Sequence, residues 1–145
     1  MGKSLRDIDI SNSAKRLIDA DYHLGPVDNA FDCLTILREF YGNLGITLPP
    51  LPDGWTDDNY AQRWQNGEGR EELYYYLLSI GTEVEPNYII AGDLLIFDGK
   101  EWVFPGIYLG SGHFLAAFEK GVRVVPLKLF IHALVEAKRL QVGAG

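Results

Sequence analysis

Cys33 is the side chain of this sequence whose position has the most direct chemical rationale. It is the single cysteine, and it follows Asp32 at the predicted start of an amphipathic helix. Amide groups and the helix dipole at such a start stabilise a thiolate, which lowers the thiol pKa and makes the sulfur nucleophilic. Free cysteines are also among the most buried residues, and Cys33 continues an apolar stripe. Its position favours core packing and leaves catalysis open.

A cysteine nucleophile needs a base, and the natural one is an imidazole. The sequence has three histidines. His23 lies in a predicted loop before Gly25, so no geometric argument excludes it. His113 lies in a predicted strand three residues before Ala116, so strand alternation directs the two side chains to opposite faces. His132 falls away from the apolar stripe of a predicted last helix. His23 and His113 are therefore the weak candidates for a base, and His132 is predicted to be an exposed helical residue.

No motif in the sequence points to a cofactor or a metal. One cysteine permits neither an internal disulfide nor a cysteine-built zinc site, and no metal-ligand spacing is present. We therefore expect no bound cofactor and no metal. A segment rich in aromatic residues is compatible with core packing or with a protein interface. Its members are Trp55, Tyr60, Trp64 and Tyr74, Tyr75 and Tyr76.

Apolar residues recur at helical spacing in the first half of the chain. The clearest helix is predicted over residues 33–44, with Asp32 as its N-cap and Gly45 at its end. A proline-rich linker over 48–54 is expected to be extended. Further helices are predicted over 13–20, 58–65 and 70–79, and a strong final one over 128–140. The apolar stripe of the final helix consists of Phe130, Ile131, Leu134 and Val135.

The second half reads as short strands separated by glycine turns. Strands are predicted over 93–97, 101–109, 113–118 and 122–125, with turns at 98–99, 110–112 and 120–121. Consecutive strands joined by short turns form an antiparallel meander. The fold class is therefore α+β, with N-terminal helices packed on a small antiparallel sheet and a C-terminal helix.

Composition and charge restrict the possible partners. The 145 residues are about one domain long, and 47% are hydrophobic, which is ample for a packed core. Twenty acidic residues against 13 basic ones give a net charge of −7, so we expect no nucleic-acid partner. No stretch of about 18 apolar residues predicts membrane insertion. The first ten residues contain no apolar run typical of an export signal.

Four short motifs in a fixed order carry a family resemblance. They are Asp32-Cys33 opening a helix, Gly45-Ile46-Thr47-Leu48-Pro49, Ala91-Gly92-Asp93-Leu94-Leu95-Ile96-Phe97, and Gly106-Ile107-Tyr108-Leu109-Gly110. This order resembles the NlpC-type cell-wall peptidases, which are papain-like cysteine peptidases. The stretch from Phe31 to Leu48-Pro49 and the ending Gly121-Val122-Arg123-Val124-Val125-Pro126-Leu127 look most like the branch found in phage and prophage tail-tip proteins.

The resemblance departs from the family where catalysis requires it. The family pattern implies that Cys33 occupies the nucleophile position. It also puts Phe104 at the position of the catalytic histidine and Ala116 at the position of the third polar group. Neither side chain can accept a proton, and a cysteine peptidase needs that proton transfer. The resemblance therefore implies that Cys33 is vestigial, with an aromatic ring where a base would face its sulfur.

The resemblance implies one papain-like NlpC domain over residues 1–145. Residues 1–28 would form an N-terminal extension with a short helix, 29–127 the family-like core, and 128–145 the C-terminal helix and tail. The expected function is that of a non-hydrolytic structural component of a phage or prophage tail tip, located in the virion. Its partners would be other tail-tip or hub proteins, with peptidoglycan as a further one. The alternatives are an active cysteine endopeptidase that cuts peptidoglycan stem peptides, with His23 or His113 as base, and a binding module outside any virion.

Overall fold

Helices lie on one face of an antiparallel sheet in the computed structural model, which describes residues 5–52, 54–56, 59–65, 70–99 and 102–141. The α-helices in this part of the chain are α1 (Asp7–Lys15), α2 (Thr35–Gly42), α3 (Tyr60–Gln65) and α4 (Arg70–Leu78). Short 3₁₀ turns occur at Pro86–Tyr88, Leu127–Leu129 and Ile131–Ala133.

The described strands form two sheets of unequal size. A small parallel pair joins β1 (Asp21–Tyr22) to β2 (Ala30–Phe31). The main sheet has the order β3-β8-β4-β5-β6-β7 and is antiparallel throughout. Its strands are β3 (Thr82–Glu83), β4 (Leu94–Asp98), β5 (Val103–Gly110), β6 (His113–Phe118), β7 (Gly121–Pro126) and β8 (Leu134–Arg139).

The predicted meander is confirmed. Strands β4 to β7 pair consecutively and lie within two residues of the predicted bounds. The turn predicted at 98–99 is present, because the Gly99 amide donates to the Trp102 carbonyl at 2.9 Å. Residues 100 and 101, at the start of the predicted second strand, lie outside the described residues. Left-handed φ values at Gly110, Ser111 and Gly112 build the next turn.

The predicted C-terminal helix over 128–140 is wrong. This segment forms two 3₁₀ turns and then β8, which pairs with β4 on one side and β3 on the other. Without β8, the edge of β4 away from β5 would leave unpaired amides and carbonyls in a largely buried strand. The segment therefore belongs to the sheet, although its spacing of apolar residues also suits a helix.

The remaining helix predictions hold to different degrees. The first helix spans Asp7–Lys15, so the predicted bounds of 13–20 are wrong. Helix α2 lies inside the predicted 33–44 and is followed by Gly45, whose φ of 81° suits glycine. Helices α3 and α4 confirm the predictions over 58–65 and 70–79, with residues 57 and 58 outside the described part.

Strand alternation divides the buried apolar residues into two clusters, one on each face of the sheet. The helical cluster contains the inner faces of the helices and includes Leu94, Ile96, Val103, Ile107, Leu115 and Val122 from the strands. The aromatic cluster lies on the other face, where Leu95, Phe97, Phe114 and Ala116 pack with Ala137 and the partly buried Phe104, Phe118 and Phe130.

Two hydrogen bonds fix α2 between α1 and the sheet. The Tyr41 hydroxyl donates to the Gly92 carbonyl at 2.8 Å, and the Ser13 hydroxyl donates to the Phe40 carbonyl at 2.9 Å. Tyr41 and Phe40 are fully buried, so both bonds are made away from water, where leaving their groups unpaired would be costly. The N-terminal end of α2, which carries Cys33, is thereby held at a defined place beside the strands.

Candidate functional site

Cys33 lies in the turn that precedes α2, and its side chain is buried in the helical cluster. The helix itself begins at Thr35, so Cys33 and Leu34 form the turn that leads into it. Cys33 is 8% exposed and forms no disulfide. The sequence therefore predicts the place of this thiol correctly, at a helix start, and the structure adds that it is a packed side chain.

Asp32 organises the turn around the thiol. Its carboxylate is fully buried, and one oxygen accepts bonds from the amides of Leu34 and Thr35, both at 2.9 Å. The other oxygen accepts bonds from the Gly25 amide at 2.7 Å and the Tyr60 hydroxyl at 2.5 Å. The Asp32 amide in turn donates to the Thr35 hydroxyl at 2.8 Å. Asp32 thus caps α2, as predicted, and stabilises its own buried charge with several donors.

This environment opposes ionisation of the thiol. Burial is the largest cause that raises the pKa of Cys33 well above its usual range, and the neighbouring Asp32 carboxylate raises it further. A hydrogen bond from the backbone acts in the opposite direction and does not offset them. The helix start therefore does not produce a reactive thiolate here. Burial and the charge of Asp32 outweigh the backbone hydrogen bond in their effect on the thiol pKa.

Tyr22 and Tyr60 are the polar neighbours that the sequence did not assign to the site. Burial raises the pKa of Tyr22 to about 12, with smaller contributions from Cys33 and Asp32. Tyr60 is fully buried, and burial and its bond to Asp32 raise its pKa strongly. Tyr22 reaches the site because β1 pairs with β2, immediately before Asp32. In the sequence, the only indication that these two strands pair is the set of turn residues between them, which includes Gly25-Pro26 and Asn29.

His23 lies in the chain segment next to the site, and its ring contacts the Gly25 carbonyl rather than the thiol. Its amide donates to the Phe31 carbonyl at 3.3 Å, which continues the pairing of β1 with β2. Its ring Nδ1 is 3.3 Å from the Gly25 carbonyl, a contact in which the nitrogen is the donor. The side chain is exposed. No hydrogen bond joins it to the Cys33 sulfur in the described part of the chain.

The other two histidines lie at the start of β6 and on a turn. His113 is exposed at the start of β6, where its Nδ1 contacts the Ser111 carbonyl at 2.9 Å. Cys33 shares its cluster with Leu115 and Ala117, further along the same strand. His132 is exposed on the turn Ile131–Ala133 rather than on a helix. No hydrogen bond joins either imidazole to the Cys33 sulfur within the described ranges.

Phe104 and Ala116 are both in the aromatic cluster, whereas Cys33 is in the helical cluster. The Phe104 ring stacks on Phe97 at 4.8 Å between centroids and contacts Phe118 at 5.8 Å and Phe130 at 5.6 Å. The resemblance implied that these two positions face the sulfur. Strand alternation instead directs both side chains to the opposite face.

The strand residues that do share the cluster of Cys33 are apolar. They comprise Leu94, Ile96, Val103, Ile107, Leu115 and Val122, with Ala117 and Leu109 partly buried beside them. The polar side chains that interact with Cys33 or with its neighbour Tyr22 include Asp32 and Glu119. No hydrogen bond joins an imidazole to the Cys33 sulfur among the described residues.

Within the described ranges, no group of three or more histidine, cysteine, aspartate or glutamate side chains is placed to hold a metal ion. In the same ranges, no helix combines the length and the apolar character that crossing a bilayer requires.

The comparison with protein families shows to which family the chain belongs. The sequence profile of the NlpC/P60 family matches residues 19–139, which is most of the sequence and includes β8. The chain belongs to the NlpC/P60 family. Comparison with curated protein sequences gave no match.

Solved structures with the same fold support this assignment. The NlpC/p60 domain of the peptidoglycan hydrolase SagA is 25% identical, with a TM-score of 0.62 over 94% of this chain and 100% of that one. An NlpC/P60 family protein from Bacillus cereus is 23% identical, with a TM-score of 0.64 over 94% of this chain. This chain spans 40% of the length of the B. cereus protein.

A third similar structure is RipD from Mycobacterium tuberculosis, a non-catalytic NlpC/p60 domain protein adapted to peptidoglycan binding. It is 16% identical, with a TM-score of 0.62 over 92% of this chain and 96% of that one. Together these comparisons confirm the predicted α+β class and the NlpC-like fold.

Proposed function

We propose that this NlpC/P60 domain does not hydrolyse peptide bonds and serves as a structural component of a bacteriophage or prophage tail tip. The observation that carries the first half is the state of Cys33. The thiol is buried, its pKa is raised by burial and by Asp32, and none of the three imidazoles is bonded to it within the described residues.

The chemistry of a cysteine peptidase explains why this arrangement argues against hydrolysis. The thiolate is the attacking species, and the departing amine has to receive a proton from a general acid. Here the groups near the sulfur are Asp32, Tyr22 and Tyr60, and both phenols have raised pKa values. A phenol in that state does not take a proton from a thiol, and both Asp32 oxygens already accept hydrogen bonds from other donors. The imidazole that performs both proton transfers in a cysteine peptidase is not bonded to the sulfur within the described residues.

The tail-tip half of the proposal has narrower support. It rests on the motifs around Phe31-Asp32-Cys33 and Gly121 to Leu127, which resemble the phage and prophage branch of the family. The net charge of −7 is compatible with assembly onto other proteins and unfavourable for nucleic acid. In this role the domain would contact tail-tip or hub proteins, with peptidoglycan as a further partner.

A cell-wall zymogram tests the first half. Purified chain and its Cys33→Ser variant are compared with the SagA domain as an active control on the same peptidoglycan. We expect a cleared zone for SagA alone. A cleared zone for the wild type that disappears in Cys33→Ser would contradict the proposal and favour the alternative, an active endopeptidase. Repeating the assay with His23→Gln and His113→Gln would then identify the base.

Purification of tail particles tests the second half. Particles induced from the source strain are separated on a density gradient, and the fractions are probed for this chain. We expect it to sediment with the tails and to bind a purified hub protein. Recovery only among unassembled proteins, without hub binding, would contradict the tail role and favour a binding module outside the virion.

A second candidate function is non-catalytic peptidoglycan binding. It is favoured by the fold similarity to RipD, a non-catalytic domain adapted to peptidoglycan binding. Co-sedimentation with purified sacculi tests it. Albumin, an unrelated protein, is the control for non-specific trapping of protein in the sacculus pellet. Saturable binding that survives Cys33→Ser would support this function, and binding no greater than that of albumin would reject it.

A further inference from the structure

A groove lies between the turn that joins β5 to β6 and the segment that follows β7. Its volume is about 490 Å³, which is within the range of ligand sites in proteins. None of its described lining residues belongs to the helical cluster that contains Cys33. We call it the β7 groove. Its polar lining side chains are Ser111, His113 and Lys128, and its apolar ones are Pro126, Leu127 and Ile131.

Hydrogen bonds hold both walls of the β7 groove in place. The Leu127 amide donates to the Gly112 carbonyl at 2.8 Å, which ties the segment after β7 to the turn before β6. The Gly112 amide donates to the Tyr108 hydroxyl at 3.0 Å. The Phe130 amide donates to the Leu127 carbonyl at 2.9 Å, and the Phe130 ring packs in the aromatic cluster. Because the walls are already ordered, a ligand that binds between them loses little affinity to the ordering of side chains and loops.

The apolar part of the groove is partly exposed to water. Ile131 is 47% exposed, and Leu129, two residues before it in the chain, is 66% exposed. Leu127 is half-buried, with its inner side against the aromatic cluster. Neighbouring apolar side chains that remain exposed are typical of binding surfaces. The groove therefore suits an aliphatic group.

Lys128 gives the groove a cation without an anionic partner. Its ammonium forms no ion pair or hydrogen bond with any residue that the structure describes. The described lining residues include no acidic side chain, although the net charge of the chain is −7. An anion is therefore attracted to this groove on a surface that otherwise repels it. Because Lys128 directly follows Leu127, the cation and the hydrocarbon lie side by side.

His113 adds a hydrogen-bond acceptor to the groove. Its Nδ1 lies 2.9 Å from the Ser111 carbonyl, and since a carbonyl only accepts, this nitrogen is the donor. In the neutral ring the other nitrogen, Nε2, then carries the lone pair. Among the described residues, no group donates a hydrogen bond to this Nε2. An N–H of a ligand suits it.

A carboxyl-terminal residue of a polypeptide carries all three complementary groups on one Cα, namely a carboxylate, an amide N–H and a side chain. We propose that the β7 groove binds the carboxyl-terminal residue of a partner polypeptide whose last side chain is aliphatic. The carboxylate lies beside Lys128, the amide donates to His113 Nε2, and the side chain contacts Leu127 and Ile131. This inference does not depend on the tail-tip proposal or on the absence of hydrolysis, because neither uses the groove.

Titration with two matched peptides tests the proposal by NMR. The probes are acetyl-Ala-Ala-Leu with a free carboxylate and the same peptide as its carboxyl-terminal amide, which differ in one charge. The ring resonances of His113 are assigned with His113→Gln, and those of His23, which is not among the described lining residues, are the internal control. We expect the acid to shift the His113 resonances saturably and to bind about fivefold more tightly than the amide, the most that one exposed charge pair contributes. High salt should reduce this preference.

Lysine variants separate a local charge effect from a general one. Lys128→Gln should abolish the preference for the acid, and Lys128→Arg should keep most of it. Lys120→Gln is the matched control, because it removes the same charge from an exposed residue at the other end of the β6–β7 hairpin, and it should leave the preference unchanged. Equal melting temperatures show that the three variants remain folded.

Four results would overturn the proposal. They are His113 resonances that do not move at millimolar peptide, equal affinity for the acid and the amide, an equal shift of His23, and an equal effect of Lys120→Gln and Lys128→Gln. Movement of the His113 resonances with protein concentration alone would also overturn it, because a second copy of the chain would then occupy the groove.

Discussion

The ion pair between Arg139 and Asp93 ties the unpredicted strand β8 to the start of β4. Arg139 donates from Nε and from one terminal nitrogen to the two Asp93 oxygens, both at 2.9 Å, and donates to the Tyr88 carbonyl at 2.7 Å. The Asp93 side chain is 2% exposed, whereas that of Arg139 is 29% exposed. Removal of the arginine therefore leaves a buried carboxylate that has lost its cation.

The expected cost of Arg139→Gln follows from this geometry. Breaking a fully buried ion pair by removing one partner costs about 3–5 kcal/mol. Water can reach the exposed part of Arg139, and Asp93 keeps the bond from the Ile90 amide at 2.9 Å, so the cost should be lower here. We expect the free energy of unfolding to fall by about 2–3 kcal/mol and the melting temperature by about 6–10 °C.

Urea denaturation followed by circular dichroism measures this difference. Lys138→Gln is the matched control, because it removes a neighbouring charge of the same strand and should change stability by no more than about 0.5 kcal/mol. The double variant Asp93→Asn, Arg139→Gln should recover part of the loss, since no charge is then left buried. A loss for Arg139→Gln equal to that of the control would refute the reasoning.

Three further substitutions test the packing around the site and the sheet. Tyr60→Phe removes the hydroxyl that donates to Asp32, and we expect a loss of about 1–2 kcal/mol in urea denaturation; an unchanged midpoint would contradict that bond. Gly106→Ala places a Cβ 2.6 Å from a Phe114 ring carbon, and a loss of about 1–3 kcal/mol is expected by the same assay, whereas neutrality would show that the rings move freely. Phe104→His puts an imidazole into the aromatic cluster, so thermal stability should fall while the zymogram stays blank; clearing of the cell wall would show that this position does reach the thiol.

The sequence predicts elements whose signals are local. Helix α2 has an apolar stripe, a capping carboxylate at Asp32 and a glycine at its end, and all three agree with the structure. The strands of the meander are separated by glycine turns, so their order and approximate bounds follow from neighbouring residues. In such segments local propensity and long-range packing favour the same structure.

Strand β8 shows where local signals fail. Leu134–Arg139 contains leucine, glutamate, alanine, lysine and arginine, which favour helices, and its only β-branched residue is Val135. The segment is nevertheless a strand because it pairs with β4 and β3, which are distant in sequence. Tertiary pairing overrides a weak intrinsic preference.

The candidate site also has a part that local sequence predicts and a part that depends on distant residues. The place of Cys33 and the capping role of Asp32 could be predicted, whereas Tyr60 reaches Asp32 from 28 residues away and carries no local signal of that contact. The face occupied by Phe104 was open to prediction, because Val103, Pro105 and Ile107 alternate with it and are more deeply buried. Motif matching located Phe104 along the chain without determining the direction of its side chain.

The pH dependence of Cys33 alkylation tests the central claim most directly. Iodoacetamide reacts with the thiolate, so the labelling rate follows ionisation of the thiol; mass spectrometry of the native chain measures it without interference, because the sequence has one cysteine. The raised pKa of Cys33 predicts slow labelling at pH 7 and an apparent midpoint well above that of a free thiol. Rapid labelling below pH 6, abolished in His23→Gln, would reveal a thiolate paired with an imidazole and would contradict the account.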